Sequence, residues 1–179
     1  MAATKKYFKL ITQAAKTDGK MAICEVVKVD GVYRDSGWFN SVSGRATGFY
    51  VKEFSNFKSY SIKLQKGESV EYLSFMLGFT TFSIINSLLN TDLSKEIQIS
   101  AWVNKKGFVQ ASVGYVGGAD KIDWAIEISE QPQVEKSESG KTDYSKVNDF
   151  WDAKFTSLSA ETKQPVELPI ESVEDDLPF

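Results

Sequence analysis

The feature that most constrains this chain is a change of hydrophobic period. Over about the first 130 residues apolar and polar side chains alternate, the two-residue repeat of a strand with one buried face. Lys58–Gln65 shows it best: Tyr60, Ile62 and Leu64 fall on one side, with Lys58, Ser59, Ser61, Lys63 and Gln65 off it or flanking it. In the middle of this region the repeat switches. Phe79, Phe82, Ile85, Leu88 and Leu89 recur at three- and four-residue spacing, as in one short helix. Thr80 or Thr81 offers it a weak cap.

Before the helix, Tyr7–Gln13, Lys20–Val29, Thr47–Phe54, Lys58–Gln65 and Val70–Met76 read as strands. After it come Glu96–Val103 and Phe108–Val116, joined by Asn104-Lys105-Lys106-Gly107 as a hairpin, with Ile122–Ile128 as a further candidate. Asp35–Gly44, rich in Gly, Ser and Asn, reads as a loop. This order predicts a mainly β fold: an OB-fold-like five-stranded Greek-key barrel with one helix between strands three and four. A β-sandwich with one crossing helix would read similarly. Residues 1–130 are therefore expected to form one domain, and 131–158 a polar linker with a short amphipathic helix (Tyr144, Val147, Phe150, Trp151, Phe155 and Leu158). Residues 159–179 are expected to be a flexible acidic tail.

Charge is distributed unevenly. Residues 1–66 carry twelve Lys or Arg against five acids, a net of +7, whereas residues 132–179 carry five Lys against eleven acids, a net of −6. A basic front and an acidic rear on one chain suit a nucleic-acid binder with an acidic tail. Histidine is absent and Cys24 is the one cysteine. That removes the commonest general base and the commonest zinc ligand, as well as any intramolecular disulfide. No cofactor is expected, and an enzyme is the least supported class, although a carboxylate-only metal nuclease needs no histidine. The Leu73–Leu89 stretch is too interrupted by Ser, Thr, Asn and Gly to span a membrane. The chain reads as a soluble cytoplasmic protein of a bacterial or phage-infected cell.

The most specific signal is the end of the chain, Glu174-Asp175-Asp176-Leu177-Pro178-Phe179. A tail kept only for solubility has no reason to finish on Leu-Pro-Phe. Acids followed by an apolar tip make a compact peptide ligand, with a ring to fill a pocket and carboxylates to meet cations around it. These six residues resemble the C-terminal tip of bacterial single-stranded-DNA-binding proteins. The strand–helix–strand body is similar to that of phage-encoded proteins of the same function. The resemblance implies an OB-fold that binds the DNA and a tip that binds replication, recombination and repair proteins.

A second constellation interleaves rings and cations: Arg34, Trp38, Phe39, Arg45, Phe49, Tyr50, Lys52, Phe54, Phe57, Lys58, Tyr60, Lys63 and Lys66. A groove for single strands without sequence choice needs rings for bases and cations for phosphates, and each stacked base is worth roughly 1–3 kcal/mol. Some of these rings must be core. Tyr60, in phase with Ile62 and Leu64, suits either role, and adjacent Phe49 and Tyr50 must face opposite ways. The third constellation is the last hairpin, with Trp102, Lys105, Lys106 and Phe108 around its turn. A solubilising turn explains it equally well.

The stacking candidates are thus Trp38, Phe39, Tyr50, Phe54, Phe57, Trp102 and Phe108. The phosphate candidates are Arg34, Arg45, Lys52, Lys58, Lys63, Lys105 and Lys106. The expected function is coating of single-stranded DNA. The alternatives are an OB-type RNA chaperone and a protein-interaction adaptor. The 144–158 stripe also offers a surface for joining copies into a homo-oligomer.

Overall fold

Up to residue 75 the alternating segments form six strands: β1 (Lys5–Leu10), β2 (Ile23–Val29), β3 (Val32–Phe39), β4 (Ser41–Glu53), β5 (Lys58–Lys66) and β6 (Ser69–Phe75). Helix α1 (Phe79–Leu88) follows, then β7 (Glu96–Val103) and β8 (Val109–Tyr115). A small hairpin, β9 (Glu135–Lys136) with β10 (Thr142–Asp143), leads into α2 (Ser145–Glu161). This computed structural model describes residues 3–161. The expected tip, Glu174–Phe179, lies outside them.

Eight strands form one curled half-barrel sheet in the order β3-β2-β1-β6-β5-β4-β7-β8. That corrects the expectation of five strands. It also removes the sandwich, since no second large sheet faces the first among the described residues. Within the sheet, β4, β5 and β6 are consecutive antiparallel strands. The chain then returns through α1 to place β7 beside β4, so the order β7-β4-β5-β6 is a Greek key. The free edge of β6 is taken by β1, running parallel.

The curvature originates in β4. Its first residues pair with β7 and its later ones with β5. At Gly44 (φ 155) the two neighbours meet, and a Cβ there would lie 2.8 Å from the Gln65 carbonyl oxygen. Thr47 is the extra residue of a bulge between Ala46 and Gly48, which bends the strand further. The sheet therefore curls back on itself. Met21 bridges Trp102, Val103 N–H donates to the Lys20 carbonyl at 3.1 Å, and Ala101 N–H donates to the Asn40 carbonyl at 2.9 Å.

The inner face holds the core. Phe8, Ile62, Leu64, Leu73, Ile97 and Ile99 pack there under both helices. Phe155 of α2 meets Phe49, Tyr60 and Phe75 edge-on at 5.2–5.9 Å, and Phe82 of α1 stacks on Trp151 of α2 at 5.4 Å. The N-cap of α1 is Gly78 rather than either threonine. Its N–H donates to Thr81 Oγ1 at 2.9 Å, while Thr80 turns outward to the sheet. The outer edge of β8 is covered: its carbonyls at Val109, Ala111 and Val113 accept from Thr80 Oγ1, Ser83 Oγ and Ile122 N–H.

Three further expectations need correction. Asp35–Gly44 is not a loop but the junction of β3 and β4, with only Asn40 between them; small residues there serve a bulge and a close strand approach rather than a turn. Ile122–Ile128 is not a strand, because Ile122 and Asn86 tie it to β8 and α1 and it ends in a 3-10 turn at Ile128–Glu130. The boundary at 158 falls inside α2. No helix among the described residues is long and apolar enough to cross a membrane.

Candidate nucleic-acid interface

Both helices pack on the inner face, so among the described residues no helix covers the outer face of the sheet. Register assigns each side chain to it. One row runs Tyr50, Ser61, Ser74, Lys9, Cys24 and Trp38, and the next runs Gly48, Lys63, Tyr72, Tyr7 and Val26. A third carries Arg45, Gln65, Val70 and Lys5.

The centre of this face is aromatic. Tyr7 stacks on Tyr72 with ring centroids 5.4 Å apart and planes 16° from parallel, and Tyr50 lies 6.5 Å from Tyr72. Tyr72 is only 2% exposed, and its cover is these two rings, not a helix. Gly48 makes the arrangement possible. A Cβ at Gly48 would come within 2.6 Å of the Tyr50 hydroxyl, so the Tyr50 ring lies down over that backbone.

Cations surround the rings. Lys63 and Arg45 have no ion-pair partner among the described residues, and neither does Lys5. Lys9 bonds Asp35 at 2.5 Å, and Lys52 sits 5.4 Å above the Phe54 ring. Hydroxyls and amides fill the remaining positions, including a 2.6 Å bond between Ser61 and Ser74. The outer face therefore offers rings, positive charge and polar hydrogen-bonding groups on one ladder, with Glu96 the acid opposite Arg45.

The other candidates fall in distinct places. Trp38 is on the outer face opposite Cys24. Phe39 points the other way, edge-on to Phe8 at 5.6 Å, and Arg34, opposite Val27, is also off the outer face. Phe54 and Phe57 stack on each other at 4.5 Å in the β4–β5 hairpin, with Phe57 largely exposed. Lys58 meets Asp152 of α2 at 3.5 Å on the side of the sheet where α2 docks. Tyr60 is core: its hydroxyl donates to Asp152 Oδ1 at 2.7 Å. Burial, then this bond, pushes its phenol well above the usual range. Cys24 is buried, and burial followed by the Asp35 charge raises its thiol, as for a packing residue.

Trp102 is on the outer face opposite Gln110, while Ala101 and Val103 point inward. Beyond it, Asn104 Oδ1 accepts N–H bonds from Lys106 and Phe108 at 2.9 and 3.0 Å, building a tight turn with Gly107 at φ 80. Lys105 and Lys106 project from it, and Phe108 is 66% exposed.

The sequence reading missed Tyr7, Tyr72, Lys5 and Lys9. Tyr7 and Tyr72 were legible as strand residues out of phase with Phe8 and Leu73. Only the pairing of β1 with β6 brings them together. No protein-family model, curated protein or solved structure matches this chain.

Proposed function

We propose that this protein binds single-stranded DNA on the outer face of its sheet. The observation that carries the reading is that face itself: Tyr7, Tyr50 and Trp38, the two tyrosines backed by buried Tyr72, lie among Lys63, Arg45, Lys5 and Lys52, with no helix over them among the described residues. Rings stack bases of any identity and cations meet phosphates, so the pairing suits sequence-tolerant binding. The strand order supports it. The Greek key β4–β7 followed by β8, with α1 between the key's third and fourth strands, follows the plan of an OB-fold. In that plan strands two and three and the loops after strands one and four meet the ligand. The corresponding parts here are β5 and β6, the Phe54/Phe57 hairpin and the Lys105/Lys106 hairpin. The acidic tip at Glu174–Phe179 is proposed to recruit replication, recombination or repair proteins to the coated strand.

Titration with an unstructured thymidine oligomer, followed by tryptophan fluorescence at low and moderate salt, tests the reading. Quenching at Trp38 or Trp102 is expected, with affinity falling steeply as salt rises because bound phosphates release counterions. Absence of binding at low salt overturns it. Equal affinity for the matching RNA oligomer shifts the assignment to an RNA chaperone.

A further inference from the structure

The outer face does not stop at β8. Trp102, Gln110 and Ser112 are outer-face positions, and all three also line an open groove of about 1440 Å³ between β8, the start of α1 and residues 121–127. The groove's rings are unusually bare. Phe79 at the first position of α1 is 67% exposed, Phe108 is 66% and Trp124 is 44%. Isolated exposed rings are ordinary, but three around one concavity mark a binding surface. Lys105, Lys106 and Lys121 rim it together with Asp123 and Glu127, and none of the three lysines has an ion-pair partner among the described residues. The wall is held in place: Asn86 of α1 bonds Ile126 through both amide atoms at 2.8 Å, and Ser87 Oγ donates to the Ile122 carbonyl at 3.0 Å.

We infer that this groove is a second base-stacking site, in which Phe79 and Trp124 hold nucleobases of the same strand after it has passed Trp102, with Lys121 on a phosphate. The inference rests on the single-strand reading above and extends it to residues of a helix and a loop. Rings and charge together select the occupant. The three lysines outnumber the two acids of the lining, Asp123 and Glu127, and ammonium groups beside bare rings complement a polyanion with stackable faces.

The test uses the full chain and an oligothymidylate of about 15 nucleotides, near the upper end of what one such fold covers. Phe79→Ala and Trp124→Ala should each weaken binding about 5- to 150-fold, the range for loss of one stacked base. Lys121→Ala, which keeps both rings, should lower the salt slope by about 0.7. A chain with Trp38→Phe and Trp102→Phe should still be quenched by the oligomer, through Trp124. The three side chains are exposed, so each variant should melt with the wild-type protein. Unchanged affinity and slope in all three, with Tyr50→Ala still weakening binding, overturns the groove and leaves the outer face standing. Loss of self-association in Trp124→Ala without loss of DNA affinity also overturns it, making the groove a contact between copies. No binding by the wild-type chain removes the single-strand reading itself.

Discussion

The two faces of the sheet are made by alternate residues of the same strands, yet they are built to opposite rules. On the inner face polar groups are committed: Tyr60 and Lys58 both meet Asp152, and Ser159 Oγ donates to the Phe49 carbonyl, fixing α2 over the core. On the outer face, one residue along, Lys63 and Arg45 are left without ion-pair partners and Tyr50 lies down over a glycine. Period-two alternation thus lets one hydrogen-bonded ladder carry stability on one side and recognition on the other. Substitutions on the two faces should then separate folding from binding.

The largest effect is expected at the inner face. Phe155→Ala removes a fully buried ring and should cost about 3–5 kcal/mol in urea denaturation, with DNA affinity unchanged for whatever fraction remains folded. Tyr50→Ala is its mirror: about 1–3 kcal/mol of DNA affinity lost in fluorescence titration, with a smaller change in the denaturation midpoint. If Phe155→Ala and Tyr50→Ala damage both properties equally, the separation of faces is wrong.

Tyr60→Phe sharpens the comparison through pH. It removes the bond to Asp152 and should cost about 1–2 kcal/mol at neutral pH. Burial first, and Asp152 second, make the folded protein hold the phenolic proton more tightly than the unfolded chain does. Unfolded tyrosine titrates near pH ~10. This contribution is therefore fully present below that pH and declines as pH rises above it. Denaturation midpoints measured across pH 8–11 should fall less steeply for Tyr60→Phe than for the wild-type chain, a range chosen to bracket roughly that pKa.

Gly48→Ala should act on binding with little effect on stability. The added methyl displaces only the end of the Tyr50 side chain, so affinity should drop by less than in Tyr50→Ala. An affinity equal to wild type would mean that Tyr50 does not need to lie flat. The smallest expected effect is Lys63→Ala, which should leave folding alone and reduce the salt slope of binding by about 0.7, one phosphate on a single strand.

Local pattern carried most of the element positions. The alternation of Tyr60, Ile62 and Leu64 put the right side of β5 in the core, and the three- and four-residue spacing at Phe79–Leu89 located α1. β7 matched at both ends. What local pattern lacks is pairing. Nothing near Lys5 or Tyr7 says that β1 will run parallel to β6, more than fifty residues away, and that contact builds the tyrosine cluster. Asp35–Gly44 misled because glycine and serine serve a strand that is closely approached as well as a turn. The contact of Lys58 with Asp152 was not legible either, because its partner arrives from a helix far along the chain. Phe79 sat in the helical repeat with Phe82 and Ile85, and Trp124 inside the candidate strand Ile122–Ile128; only the groove shows how bare they are.

The capped outer edge of β8 has a consequence for crowding. A sheet edge with free N–H and carbonyl groups invites strands from other molecules. Here Thr80, Ser83 and Ile122 occupy one end of the eight-stranded ladder, so among the described residues only β3 ends it without a neighbour. Two molecules joined through β3 about a twofold axis would present capped ends in both directions, and the joined sheet would stop there. Run-on fibres need an edge at each end of every unit. With one of the two removed, edge-to-edge growth terminates at a pair however densely the molecules are packed.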